Sequence, residues 1–93
     1  MRIEWSIFAK KQILKVRKDR SFNTISIIYS RAKSILNFPF LGQKEDLLEF
    51  RIEGFRYLVE GNYKIINWID NDVVRIYSLF DTRQNPEKLK NLD

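Results

Sequence analysis

The residue types that most often carry chemistry are missing from this 93-residue sequence, which contains no cysteine and no histidine. Without cysteine the chain has no disulfide, no thiol nucleophile and no thiolate metal site. Without histidine it lacks the usual general base and the commonest metal ligand. A zinc enzyme and a Ser–His–Asp hydrolase are therefore excluded, and we expect neither a metal nor a cofactor.

Cations are abundant instead, with 17 Lys and Arg against 12 Asp and Glu, a net charge of +5. Residues 1–40 carry nine basic side chains, opposed only by Glu4 and Asp19, so this half has a net charge of +7. Residues 41–93 have a net charge of −2. The asymmetry indicates an acidic partner for one face, either a polyanion or an acidic protein segment. A solvated helix face rich in lysine would give the same pattern.

Length and composition predict one domain that spans residues 1–93, because 44% of the residues are hydrophobic and a chain of this size has room for one core. No apolar run approaches the roughly 18 residues that a membrane-spanning helix needs. The N-terminus carries charges where a signal peptide needs an uninterrupted apolar stretch. We therefore expect a cytoplasmic protein without membrane contact.

The first half predicts a short strand and two helices. The strand is Arg2–Trp5, and Ser6 is a candidate N-cap for a helix whose apolar residues recur at helical spacing. Those residues are Ala9, Ile13 and Val16. A second apolar stripe starts after Ser21, continues over four turns and ends before Phe38-Pro39, which favours a helix although its β-branched residues locally favour a strand. The two segments form an antiparallel helical hairpin.

The second half changes to a period of two and predicts three strands. They are Leu48–Val59 with a bulge at Gly54, Tyr63–Ile69 and Val73–Phe80. Gly61-Asn62 and Asp70–Asp72 are turn signals, and Asn85-Pro86 predicts a short C-terminal helix through Leu92. The fold class is α+β, with an N-terminal short strand and a helical hairpin packed on a curved antiparallel sheet, in the order β-α-α-β-β-β.

One point of strand register stays open at this stage. The turn after Glu60 can close with two or with three residues, and each choice places Lys64 on a different face of the sheet.

Four segments occur in a characteristic order along nearly the whole chain. They are Ile3-Glu4-Trp5-Ser6 with Ala9, then Pro39-x-x-Gly42, then Phe55–Val59 leading into Asn62–Ile66, and finally Val74–Phe80 running into Asp81–Pro86. This ordered set resembles the RelE/ParE superfamily of toxins from type II toxin–antitoxin systems. The resemblance implies a small toxin that an acidic, extended or helical antitoxin segment wraps.

The resemblance implies two different activities. RelE-like members cleave mRNA in the ribosomal A site, whereas ParE-like members inhibit growth by binding DNA gyrase and catalyse nothing themselves. If the chain is a nuclease, the resemblance implies that Arg56, Lys64 and Arg83 hold the phosphate. A lysine at position 64 departs from the nuclease pattern, because an ammonium cannot hold a phosphate bidentately as a guanidinium does.

The acid and base of such a nuclease are harder to find in the sequence. The tail after Arg83 has neither the His nor the Tyr that nucleases of this family commonly carry there. Strand tyrosines are more often core aromatics than proton donors, and strand carboxylates that alternate with apolar residues usually face solvent. These candidates are Tyr57, Tyr63, Tyr77, Glu49, Glu53 and Glu60. The balance favours a ParE-like toxin that acts by binding, with a RelE-like ribosome-dependent endonuclease as the alternative.

Two sets of residues are the candidates for the contacts that such a toxin makes. The candidates for binding gyrase or the ribosome are Arg51, Arg56, Lys64, Trp68 and Arg83. The candidates for binding an acidic, partly disordered antitoxin are Lys10, Lys11, Lys15 and Lys18. No small-molecule substrate is expected.

A third interpretation is a non-toxic basic domain that binds nucleic acid or acts as an adaptor. The sequence shows neither the aromatic–glycine patterns of an RNA-binding sheet nor the glycine loops of a phosphate site. Only the basic charge supports this interpretation.

Overall fold

The computed structural model describes residues 1–19, 22–38, 42–44 and 54–84. A strand and two helices come first. They are β1 (Arg2–Trp5), α1 (Ile7–Asp19) and α2 (Phe22–Asn37). The strands that follow are β2 (Gln43–Lys44), β3 (Arg56–Glu60), β4 (Tyr63–Asp70) and β5 (Val73–Asp81). The predicted α+β class and element order are confirmed, and β2 is a two-residue strand in a segment expected to be a connection.

The strands form one sheet in the order β1-β5-β4-β3-β2. The pairs from β2 to β5 are antiparallel, but β1 lies parallel to β5. The sheet is therefore mixed, which corrects the expectation of a wholly antiparallel sheet. The chain leaves β1, crosses one face of the sheet as two helices, and returns through a meander whose last strand runs beside β1 in the same direction.

Both helices form for identifiable local reasons. The Oγ atom of Ser6 accepts a hydrogen bond from the N–H of Ala9 at 2.9 Å, which confirms Ser6 as the N-cap of α1. The same hydroxyl donates to the backbone carbonyl of Tyr77 at 2.7 Å, so the cap also ties the helix start to β5. The α2 segment is helical despite its β-branched residues, because its apolar stripe packs on the sheet.

The turns fix the register that the sequence left open. Gly61 and Asn71 have φ values of 58° and 56°, the left-handed conformation that two-residue hairpin turns require. Glu60 lies directly opposite Tyr63, so the turn between β3 and β4 closes with two residues. Lys64 then lies on the side of the sheet that faces away from the helices, 4.2 Å from the centre of the Tyr57 ring.

Two details of the predicted strands differ from the structure. Gly54 has a φ of 97° in a turn before β3, so it is not a bulge within a longer strand. The bulge lies between β4 and β5, where the register shifts between Ile66 and Asn67 and leaves Tyr77 as the additional residue on β5. The first part of the predicted strand, residues 48–53, and the predicted helix at residues 85–92 lie outside the described residues.

The main core fills the space between the helices and the sheet. Its aliphatic side chains come from both helices and from β3, β4 and β5, and Ile28, Ala32, Ile65, Val74 and Ile76 have no exposed surface. A smaller cluster on the other face of the sheet contains Phe55, Ile66 and Phe80. Neither helix is long and apolar enough to cross a membrane.

Candidate functional site

The exposed side of α1 is basic. The helix buries Ala9, Ile13 and Val16, and Lys10, Lys11 and Lys15 are exposed. These are three of the four lysines that the sequence nominated for antitoxin binding. The side chain of the fourth, Lys18, lies outside the described part of the chain.

Gln12 fixes this helix to the end of the sheet. Its Nε2 atom donates to the backbone carbonyl of Leu79 at 2.7 Å, and its Oε1 atom accepts from the N–H of Leu79 at 2.8 Å. The amide therefore satisfies both backbone groups of one β5 residue, as a neighbouring strand would. This clamp positions Lys15, which follows Gln12 along the helix, beside the end of β5.

A pocket of about 240 Å³ opens between α1 and the end of β5. Its chemically active lining comprises Lys15, Tyr63, Asp81 and Arg83. One hydroxyl, one carboxylate and two cations thus border a cavity large enough for a phosphate or a carboxylate group.

Asp81 holds Arg83 in place at this pocket. The Nε and Nη2 atoms of Arg83 donate to the two carboxylate oxygens of Asp81 at 2.9 and 2.7 Å, and the backbone N–H of Arg83 donates to the same carboxylate at 2.9 Å. The hydrogen bonds that Arg83 donates to Asp81 raise the pKa of the Arg83 guanidinium, with partial desolvation acting in the opposite direction. The Arg83 side chain is half exposed, at 50%, so an ordered cation remains accessible next to its own counterion.

Lys64 and Trp68 belong to the opposite face of the sheet. Trp68 packs edge-on against Phe55 at 5.1 Å and lies 6.4 Å from Tyr77, measured between ring centres. Lys64 sits over the Tyr57 ring, the geometry of a cation–π contact. This face therefore combines half-buried aromatic side chains with a cation.

Arg75 on the same face was not among the residues that the sequence nominated. Its Nη1 atom donates to Glu4 at 2.7 Å and its Nε atom to Asp70 at 3.0 Å. The hydrogen bond to Asp70 raises the pKa of Arg75, and the charge of Glu4 acts in the same direction. Arg75 therefore joins β1, β4 and β5 through partly exposed ion pairs.

Arg56 has a structural contact. Its Nη1 atom donates to the backbone carbonyl of Gly42 at 2.9 Å. A Cβ atom at position 42 would lie 2.5 Å from the backbone oxygen of Tyr57, so only glycine permits this close approach of β2 to β3. Arg51 lies outside the described residues.

The predicted target-binding cations do not gather at one point of the described chain. Arg83 lines the pocket beside α1, whereas Lys64 contacts Tyr57 on the other face of the sheet. The structure instead brings Arg83 together with Lys15, which the sequence had assigned to a different partner.

We did not predict from the sequence that Gln12 positions Lys15 or that Asp81 holds Arg83. Arg75 was not nominated either. A signal existed for Gln12, which is a polar residue three positions after Ala9 and therefore lies beside the apolar stripe of α1. A signal also existed for Asp81, which lies two residues before Arg83. No described group of three or more acidic side chains could hold a metal ion.

No protein-family model and no curated protein matches this sequence. The resemblance to RelE/ParE toxins therefore stays a prediction, based on the motifs of this chain and their order.

Proposed function

We propose that this chain is the toxin component of a type II toxin–antitoxin system, of the ParE-like kind, which inhibits growth by binding DNA gyrase and is neutralised by an acidic antitoxin. The support is the element order that the resemblance implies, together with Arg83 directly after the last strand. Because one fold can serve several functions, the choice between binding and catalysis depends on the residues themselves.

The separation of Arg83 from Lys64 carries the choice of binding over cleavage. Cleavage of RNA requires several cations at one developing phosphorane. Here Arg83 lies on the α1 side with a carboxylate bound to it in a bidentate manner, and Lys64 lies on the other face over Tyr57. Two cations on opposite sides of a sheet cannot hold the same phosphate, but each can contact a large partner.

The α1 surface supports the antitoxin part of the proposal. Lys10, Lys11 and Lys15 are exposed on one helix, and Arg83 continues the basic surface at the pocket. Such a surface attracts an acidic segment over distances up to about a Debye length, roughly 8–10 Å at physiological salt.

One observation favours the RelE-like alternative. The pocket beside α1 brings the Tyr63 hydroxyl, the Asp81 carboxylate and the cations of Lys15 and Arg83 to one cavity. A hydroxyl can act as an acid and a carboxylate as a base. The buried position of Tyr63, which is 9% exposed, and the engagement of Asp81 by Arg83 count against this use.

Inducible expression in bacteria without the antitoxin tests the proposal. We expect growth arrest with filamentation and a DNA-damage response, because gyrase poisoning breaks DNA. Cuts in translated mRNA at the ribosomal A site would instead favour the nuclease, and unaffected growth would favour the non-toxic basic domain.

Purified components separate the two toxic mechanisms directly. We expect the chain to inhibit supercoiling by gyrase and to leave ribosome-bound mRNA intact. Arg83→Ala should lose most of the inhibition without unfolding, since the side chain is half exposed. Arg2→Ala is the matched control, because Arg2 is also an exposed arginine paired with one carboxylate two residues away. Full inhibition by Arg83→Ala would remove Arg83 from the site.

The partner is tested by co-expression with the product of the adjacent gene. We expect the two proteins to co-purify and Lys15→Glu to weaken the complex, whereas Lys33→Glu on α2 should not. Separate elution of the two wild-type proteins at micromolar concentration would contradict the antitoxin part of the proposal.

A further inference from the structure

The outer edge of β1 presents backbone groups that no described strand pairs. β1 is the end strand of the sheet, and the backbone N–H groups of Arg2 and Ser6 donate to carbonyls on the side of β5, at 3.0 and 2.9 Å. Since the backbone groups of successive strand residues alternate in direction, the N–H and C=O groups of Ile3 and Trp5 point away from β5. This edge can therefore donate and accept hydrogen bonds with another strand.

The side chains of β1 divide between the two faces of the sheet. Ile3 and Trp5 pack against the main core. Arg2 and Glu4 lie on the opposite face, where their side chains are 67% and 42% exposed. The edge thus carries one positive and one negative charge, two residues apart, on the same face.

We propose that the β1 edge pairs with the β1 edge of a second copy of this chain, antiparallel and with Ile3 opposite Ile3. In an antiparallel pair the outward-pointing residues must face each other, so the register can shift only by two residues at a time. The register centred on Ile3 places Arg2 opposite Glu4 twice, once on each side of the axis. A shift of two residues in one direction places Glu4 opposite Glu4, and in the other direction Arg2 opposite Arg2. Charge complementarity therefore selects one register and favours a second copy as the occupant.

The helix-side rim of this edge is apolar and exposed. The ring centres of Trp5 and Tyr29 are 4.9 Å apart, Tyr29 is 40% exposed, and Met1 is 54% exposed. The proposed register places Met1 of each copy opposite Trp5 of the other, so pairing removes apolar surface from water on this side. The axis of such a pair is perpendicular to the sheet, which keeps both helical hairpins on the same face of one continuous sheet that contains the five described strands of each copy.

The contact is short, so the dimer is weak and concentration-dependent. A strand edge of about five residues buries less than the roughly 1,000 Å² that a stable interface needs. Sedimentation velocity and light scattering of the purified chain from about 1 to 300 µM cover the range in which such dimers form. We expect the mass to rise from 11.3 kDa towards twice that value across this range.

Two charge reversals test the register. Arg2→Glu alone makes both cross-strand pairs carboxylate against carboxylate, and Glu4→Arg alone makes both pairs guanidinium against guanidinium. Each variant should therefore weaken its own homodimer by about tenfold. An equimolar mixture of the two variants should dimerise more strongly than either alone, because both cross-strand pairs of the mixed dimer join a carboxylate to a guanidinium. The double variant Arg2→Glu with Glu4→Arg should dimerise like the wild type, because it restores opposite charges in both pairs.

Lys10→Glu is the matched control for the change in net charge. Lys10 is exposed on α1, away from the β1 edge, so this variant should dimerise like the wild type.

Amide hydrogen exchange reports on the edge itself. We expect the N–H groups of Ile3 and Trp5 to gain protection as the protein concentration rises, whereas the N–H of Glu4, on the side of β5, should not change. A protein that stays monomeric at every concentration would overturn the proposal. This holds also if the edge then proves to bind a strand of a different protein. A dimer that both reversals leave unchanged would also overturn it. None of these measurements depends on toxicity, so their failure is distinct from failure of the proposed function.

Discussion

The two faces of the sheet have different compositions and different surroundings. The face beneath the helices presents aliphatic side chains, of which Ile65, Val74 and Ile76 have no exposed surface. The opposite face presents aromatic side chains, and Trp68 and Tyr77 there are only half buried. Burial of aliphatic surface stabilises a fold in proportion to the area removed from water. The comparison therefore assigns most of the stability to the helix side and less to the aromatic side, whose charged border consists of Arg2, Glu4 and Arg75.

The largest expected effect compares neighbouring residues on β5 that point to opposite faces. Ile76→Ala should lower the free energy of unfolding by about 3 kcal/mol, because it opens a cavity in a fully buried site. Tyr77→Ala should lower it by about 1–2 kcal/mol, since a half-buried ring loses less contact area. Urea denaturation of both variants measures the difference.

A milder substitution keeps this comparison interpretable if Ile76→Ala is too unstable to fold. Ile76→Val should cost about 1 kcal/mol. If Tyr77→Ala proved more destabilising than Ile76→Ala, the aromatic face would be the main source of stability and the assignment of the two faces would be wrong.

The next effect concerns how the helix layer is held on the sheet. Gln12→Leu should lower the free energy of unfolding by about 2 kcal/mol, because the backbone N–H and C=O of Leu79 lose their partners in a part-buried position. Lys11→Leu makes the same gain in hydrophobicity at an exposed position and should change stability by less than about 0.5 kcal/mol. Equal stability of the two variants in urea would mean that water replaces the Gln12 amide without loss.

Most of the fold could be predicted because its signals are local. Ser6 has the side chain of an N-cap, and Gly61-Asn62 has the residues of a two-residue turn. The apolar stripe of α2 extends over enough turns to outweigh its β-branched residues. β2 could not be predicted, because two residues show no periodicity. The parallel pairing of β1 with β5 depends on how distant segments pack, which no local signal contains.

The candidate site was harder to predict for a related reason. Arg83 and Lys64 were nominated together because the resemblance implies phosphate-binding cations at both positions and both lie near strand ends, but a position near the end of a strand does not determine a face. The two-residue turn at Gly61 places Lys64 on the aromatic side, and Asp81 holds Arg83 on the α1 side. Side-chain pairing across two residues, such as Asp81 with Arg83, is decided by turn geometry rather than by composition.

A smaller effect is expected from a buried hydroxyl on β5. Ser78 has no exposed surface, and within the described part of the chain its Oγ atom has no hydrogen-bond partner. Replacing an unsatisfied buried hydroxyl removes a desolvation cost. We expect Ser78→Ala to leave stability unchanged or raise it by up to about 1 kcal/mol in urea denaturation. Ser34→Ala is the control, because the Ser34 hydroxyl donates to the backbone carbonyl of Arg31 at 2.6 Å. A loss of stability in Ser78→Ala would mean that the Ser78 hydroxyl is hydrogen-bonded in solution.

The smallest effect is expected at the charged border of the aromatic face. Hydrogen bonding from Arg2 holds the pKa of Glu4 below its ordinary value of 4.5, the charge of Arg75 adds to this, and partial desolvation opposes it. Because the folded-state pKa lies below the unfolded value, the unfolded chain takes up the proton first as pH falls. The contribution of Glu4 to stability is therefore complete above about pH 4.5 and is lost as pH falls through the folded-state pKa.

Glu4→Gln isolates this contribution. The urea midpoint of the wild type should exceed that of Glu4→Gln by a small margin at pH 7, and the margin should shrink below about pH 4.5. High salt should shrink it at pH 7 as well, since the three side chains are exposed and salt screens exposed charges. A margin that stays constant from neutral to acid pH would show that Glu4 acts through packing on β1 rather than through its charge, and the border of the aromatic face would then contribute to stability in the same way as the helix side.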